Sequence, residues 1–232
     1  MPSENELVFS ILSKIKPHLS DDTDVSPRDI AFEISTQRSL LLRNELNKNR
    51  TIDPDIVQDL GCVAVSPVDS AECCDVSTGC KVMRTDLEIP STIELHSDYL
   101  ITRIGPVDKT AKEYSRTSLE ASKWVGNGKY TTKEIYAYRA NNRIYLVSKT
   151  DKHKFLDYIN IRGVFDNPDD VSPFTNCSTG TTCYSSDSPY PLKSWMFTYI
   201  KGIILKDYIS RYNLPADILN DGQDNSVTKK ED

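Results

Sequence analysis

Residues 192–212 carry apolar side chains around most of a helical circumference: Trp195, Met196, Tyr199, Ile200, Ile203, Ile204, Tyr208 and Ile209. A surface helix needs one apolar stripe, whereas a helix that is apolar on most sides must be covered on most sides. A small β structure cannot cover that much of one helix. The chain must therefore bring other helices, or other copies of itself, against this segment. Asn213-Leu214-Pro215 closes it, with an Asn suited to a helix C-terminus and a Pro that cannot continue the helix.

Two further helices are predicted at the opposite end of the chain. Over 6–16, Leu7, Val8, Ile11, Leu12 and Ile15 recur at helical spacing, and Pro17 follows. After the acidic stretch Ser20-Asp21-Asp22-Thr23-Asp24, Ser26 is placed to cap a helix. Pro27 suits its first turn, where the missing N–H is not needed, and Asp29 stands three residues after the cap. This helix should run to about Lys48. Its apolar residues Ile30, Phe32, Ile34, Leu40, Leu41, Leu42 and Leu46 are spread too widely for one stripe, which predicts contacts on more than one side.

Between these helices the pattern changes to β. Short strands are predicted at 62–65 and 81–84, and a stronger one at 99–104, ended by Gly105-Pro106. The best hairpin is 133–149, where 134–139 and 143–148 flank Asn141-Asn142; Asn tolerates the positive φ of a tight turn. Residues 155–165 read as a further strand pair, with Tyr158, Ile159, Ile161 and Val164 as packing residues, and 166–191 as a loop-rich return. The expected fold is α+β: a helical core from both chain ends with a β-rich insertion in the middle. The expected divisions are an N-terminal helical part (1–60), the β-rich insertion and loops (61–190), the C-terminal helix (191–220) and a mobile tail (221–232).

Composition narrows the function classes. The chain has 232 residues, 28 Lys+Arg against 34 Asp+Glu, a net charge of −6 and 38% hydrophobic residues, which is a folded globular composition. No apolar run approaches the ~18 residues of a membrane span, and the polar, acidic N-terminus has no signal-peptide pattern, so synthesis in the cytosol is expected. The acidic excess argues against a surface that coats nucleic acid, while leaving room for a local basic face.

Catalytic signatures are missing. The three histidines, His18, His96 and His153, stand apart, and no sequence feature ties one to a Cys. There is no GxSxG nucleophile elbow, and Gly126-Asn127-Gly128-Lys129 reads as a turn rather than a phosphate loop. Asp21, Asp22 and Asp24 lack the Gly and the closing Glu of a calcium loop. The six cysteines form one cluster at Cys73, Cys74 and Cys80 and another at Cys177 and Cys183, with Cys62 alone. They leave three readings open: free packing thiols, disulfides formed once the protein is outside a cell, or a zinc site whose ligand spacing exceeds the usual one. No catalytic residue, cofactor site or metal site is predicted. A small cytosolic enzyme or zinc-binding regulator using the cysteine clusters is the competing reading.

The apolar surplus of the last helix, together with 12 tyrosines, points instead to contact with other subunits. Leu41, Trp195, Tyr199, Ile203 and Tyr208 are the candidate interface residues.

A set of motifs carries a resemblance. Pro27-Arg28-Asp29-Ile30 leads to Arg38-Ser39-Leu40-Leu41-Leu42-Arg43, followed by Asp59-Leu60-Gly61-Cys62, Ala71-Glu72-Cys73-Cys74 and Gly79-Cys80. Ile101-Thr102-Arg103-Ile104-Gly105-Pro106-Val107-Asp108, Tyr190-Pro191-Leu192-Lys193-Ser194-Trp195-Met196 and Asn213-Leu214-Pro215-Ala216-Asp217 complete it. Over 26–222 the chain resembles the ring proteins, or adaptors, that join portal to tail in crAss-like bacteriophages. The resemblance implies a virion structural protein, made in the host bacterial cytoplasm and located in the neck or tail. It implies a homo-oligomeric ring of about twelve copies. Its partners would be the portal and other neck ring proteins, with DNA passing through the lumen without specific binding and no membrane contact.

Overall fold

The computed structural model describes residues 1–16, 25–48, 51–69, 81–95, 100–150 and 152–212. Helix α1 (Glu4–Ile15) opens with a capping box: Ser3 Oγ accepts from the Glu6 N–H, and a Glu6 carboxylate oxygen accepts from the Ser3 N–H. Its buried side chains Leu7, Val8, Ile11 and Ile15 keep the spacing expected from sequence. Helix α2 (Pro27–Lys48) starts where Ser26 and Pro27 place it, with Ser26 Oγ accepting from the Arg28 N–H at 3.2 Å. Its inward face is narrower than the apolar pattern predicts. Ile30, Ile34, Arg38, Leu42 and Leu46, four apart throughout, are buried, while Phe32 and Leu40 face outward. Helix α4 (Ser194–Tyr212) completes the layer; α1 packs on α2 and on α4, and those two pack on each other.

The β part is a curled mixed sheet of β1 (Gln58–Asp59), β2 (Val63–Asp69), β3 (Lys81–Thr85), β4 (Ile101–Gly105), β5 (Ser115–Arg116), β6 (Tyr136–Ala140), β7 (Arg143–Val147) and β8 (Tyr158–Gly163). The one-turn helix α3 (Leu119–Ser122) lies in the β5–β6 connection. The strand order among the described residues is β1-β8-β2-β3-β7-β6-β5, with β4 on β8. Only β5–β6 is parallel among these pairs. The fold is α+β, with the β part inserted between helices from the two ends of the chain.

Strand β8 is the hub. It pairs with β1 and β2, and separately with β4. The register passes from Asp59↔Arg162 to Val63↔Ile159, a one-residue slip that sets a bulge at Gly61. Gly61 has φ +65°, and a Cβ there would stand 2.3 Å from the Thr175 carbonyl oxygen, so only glycine fits. The predicted hairpin is present as β6–β7, and Asn141 and Asn142 adopt φ of 48° and 56°. The predicted strand pair over 155–165 is not. Lys152–Phe155 is a 3₁₀ turn and only β8 is a strand. Val164 and Phe165 are core residues beyond its end, held by Val164 N–H to Leu100 O and Asp166 N–H to Ser91 O. The tail expected at 221–232 lies outside the described residues.

Candidate assembly surfaces

Helix α4 splits its apolar residues between two jobs. Met196, Ile200, Ile204 and Tyr208, each one turn apart, are buried in the subunit core. Trp195 and Tyr199 stand one turn apart on another face and remain 51% and 54% exposed. Of the five residues singled out from sequence, those two are therefore open to a neighbour. Ile203 lines a groove of about 290 Å³ between α2 and α4, together with Glu33, Gln37, Ile204, Asp207, Tyr208 and Arg211. Leu41 packs part-buried against the core, and Tyr208 is a buried residue with the Arg211 guanidinium over its ring at 5.7 Å. Phe9 on α1 and Phe32 and Leu40 on α2 add further exposed apolar side chains to the helical layer.

The layer is locked to the loop-rich return by buried polar groups. Arg38, fully buried on α2, donates through Nη1 to the carbonyl oxygens of Phe165 (2.6 Å) and Asp166 (3.2 Å), and through Nε to that of Pro191 (3.0 Å). Its guanidinium lies over the Tyr190 ring, 5.8 Å from the centroid. Beside it, Glu4 in the first turn of α1 accepts from the Tyr184 hydroxyl at 3.2 Å. Burial, and then the charge of Asp169, push the Glu4 carboxyl up to about 7, against the hydrogen bond from Tyr184 and the field of Arg38.

A larger cleft, about 980 Å³, lies between the β1–β8 edge and the return loop. Asp59 dominates its polar wall. One oxygen accepts from the Gly61 N–H (2.9 Å) and from Asn160 Nδ2 (2.6 Å), the other from Lys109 Nζ (2.6 Å). Burial pushes this carboxyl up, but those hydrogen bonds outweigh it and hold it below the ordinary carboxylate value. All of its donors come from the subunit itself, so it is a structural anchor for the Gly61 bulge rather than a free acid or base.

The cysteines resolve in part. Cys62 and Cys177 form a disulfide across 115 residues, so neither is available as a thiolate ligand. Cys183 carries a free thiol that burial pushes up to about 11, which leaves it protonated at neutral pH and a poor nucleophile. Cys73, Cys74 and Cys80 lie outside the described residues. Among the described residues no group of three or more His, Cys, Asp or Glu is arranged to hold a metal ion. No described helix is long and apolar enough to cross a membrane.

Sequence reasoning passed over three features. Arg38 sits in the middle of an apolar stripe, where it reads as a surface residue. Glu4 precedes the predicted helix start. Trp124, Tyr130 and Phe155 lie in connections, yet each directly follows a Lys, a pattern visible in the sequence.

Arg38, Glu4 and Asp59 are thus engaged within the subunit, while aromatic rings stand open on α1, α2 and α4. The family model described as phage tail ring protein 2 matches residues 6–226, nearly the whole chain. The chain belongs to this ring protein family of crAss-like phages and is a structural ring protein of the virion. That is not a class of enzyme. No curated protein matches the chain.

Proposed function

We propose that the chain forms the portal-adaptor ring of the head-to-tail connector in a short-tailed phage, with about twelve copies around a channel that DNA crosses during genome ejection. The observation that carries this reading is the pair Trp195 and Tyr199, half exposed on a helix whose face of Met196, Ile200, Ile204 and Tyr208 is buried in the subunit core. A head-to-tail ring needs two different complementary faces on each subunit. α4, with Trp195, Tyr199 and Ile203, offers one; α2, with Phe32, Leu40 and the flank of Leu41, offers material for the other. The portal is the neighbour on one side of the ring and other neck ring proteins are on the other. A charge of −6 on every copy repels phosphate over a Debye length of about 8–10 Å, so DNA slides past without being held.

Negative-stain microscopy of the purified chain, alone and mixed with portal, tests this. Rings of about twelve copies that stack on portal are the expected result. Rings that ignore portal and bind only distal tail components overturn the adaptor role. A monomer under both conditions overturns the ring at the connector altogether.

A further inference from the structure

The three most exposed large hydrophobic side chains among the described residues are Tyr130 (86%), Phe155 (84%) and Trp124 (77%). None is on the helical layer. Each follows a lysine in sequence: Lys129-Tyr130, Lys154-Phe155 and Lys123-Trp124. The β6–β7 hairpin brings the two segments that carry them to the same end of the sheet. Its Asn141-Asn142 turn is at one end, and segments 117–133 and 148–157 run into β6 and out of β7 at the other. Ser148 Oγ donates to the Glu134 carbonyl at 2.9 Å, and Gly126 lies so close that a Cβ on it would meet Lys149 Cγ at 2.9 Å. The Lys129 ammonium sits over the Tyr130 ring, 5.7 Å from its centroid.

This tip is also an electrostatic exception. The two segments contain Lys123, Lys129, Lys133, Lys149, Lys152 and Lys154 against Glu120, Asp151 and Asp157, a net +3. With −6 on the whole chain, the remaining residues stand at −9. Exposed aromatic side chains on lysine-bearing segments are complemented by a surface that is acidic and offers an apolar hollow. The rest of this same chain meets the first condition, and the groove between α2 and α4 meets the second. That groove is floored by Ile203, Ile204 and Tyr208 and walled by Glu33 and Asp207, with Arg211 held by Asp207 at 2.7 Å. Its volume of about 290 Å³ admits one aromatic side chain.

We propose that the Lys–aromatic tip of one copy docks in the α2–α4 groove of the next, with Trp124 as the inserted ring and Lys123 and Lys129 facing Glu33. The proposal rests on the ring reading and deepens it: it adds to the helical faces a pair of unlike surfaces on one subunit that a head-to-tail contact can join. Trp and Tyr are among the residue types enriched at interface hot spots, and rim lysines act mainly on orientation and rate. Opposite charges across the contact set its orientation and speed its formation.

The test is assembly of the full chain, read by mass photometry and microscopy, with a photo-cross-linking amino acid at position 124. Cross-links should join copies and map to peptides carrying Glu33–Gln37 or Ile203–Arg211. Lys129→Glu and Trp124→Ala should raise the concentration for half-assembly about tenfold or more, with thermal unfolding of the subunit unchanged because both side chains are exposed. Glu33→Lys should restore assembly to Lys129→Glu. Intact rings in the tip variants, or cross-links to another surface, overturn the proposal and leave the ring reading standing. Salt-sensitive binding of a DNA duplex that is lost in the lysine variants, with assembly unaffected, overturns it in favour of nucleic acid. A wild-type chain that never assembles overturns the ring reading itself.

Discussion

Arg38 Nη1 donates to the Phe165 carbonyl oxygen across 2.6 Å, joining the middle of α2 to the chain just beyond β8. One guanidinium thereby ends three carbonyls from two separate loops, at 165–166 and at 191, that no helix or strand could pair. A Leu in its place would continue the stripe of Ile34 and Leu42 but take this donor from the Phe165 and Pro191 carbonyls, whereas that of Asp166 would keep the Ser39 hydroxyl.

Arg38→Ala should therefore destabilise the subunit by about 3–5 kcal/mol, since it removes the cation and leaves buried acceptors behind. Arg38→Lys should recover little, because an ammonium cannot span the sites that the planar fork reaches together. Urea unfolding of both variants, at equal ionic strength, checks this. A loss below about 1 kcal/mol for Ala contradicts it.

Reducing the Cys62–Cys177 disulfide should lower subunit stability by about 2–5 kcal/mol, because the bond closes a long loop in the unfolded chain. Cys62→Ser and Cys177→Ser should each match the reduced wild type, and reductant should then have no further effect on either. Thermal melts with and without reductant give the comparison.

Stability should fall as pH rises through neutrality. The Glu4 carboxyl lies near 7 in the fold against an ordinary 4.5, so the folded state holds a proton that the unfolded state releases earlier. The benefit is complete below about pH 4.5, shrinks between the two values and is gone above about 7, a swing of about 3 kcal/mol. Asp169, also raised by burial, adds in the same direction. Glu4→Gln should make the pH 8 protein more stable than wild type and flatten the curve between about pH 5 and 8. An unchanged slope in denaturant titrations across that range contradicts the assignment.

Tyr199→Asp and Trp195→Asp should block assembly while leaving the monomer folded, since both side chains are about half exposed. Ile203→Asp differs: it places a carboxylate in a groove that already holds Glu33 and Asp207, and should cost assembly and some subunit stability together. Light scattering coupled to size exclusion, with circular dichroism on the same fractions, separates the two effects.

Much of the architecture was legible where local chemistry decides it. Ser26 and Pro27 marked the start of α2 and Asn141-Asn142 marked the hairpin, while the stop expected at Asn213-Leu214-Pro215 lies outside the described residues. What escaped depends on distant partners. Val164 and Phe165 look like strand residues because they are apolar, but Val164 bonds through its backbone to Leu100 and Ile93, and Phe165 makes an isolated bridge with Thr92, all outside any named strand. Cys62 looked solitary because its partner is 115 residues away. The outward turn of Phe32 and Leu40 followed from where α1 and α4 happen to sit, which periodicity on α2 alone does not encode. Of the five candidate interface residues, apolar type picked out all five, but only the packed fold separates exposed Trp195 and Tyr199 from buried Tyr208.

The Cys62–Cys177 bond also changes how the subunit carries mechanical load. Both flanking helices, α2 before it and α4 after it, lie outside the closed loop, while β2 to β8 hang inside it. Tension applied between those helices runs through the sulfur bridge and skips most of the sheet. In a ring subunit wired this way, the covalent path between the helices of the layer bypasses the strands of the closed loop, whose share of a pull is limited to non-covalent ties such as Arg38 to Phe165.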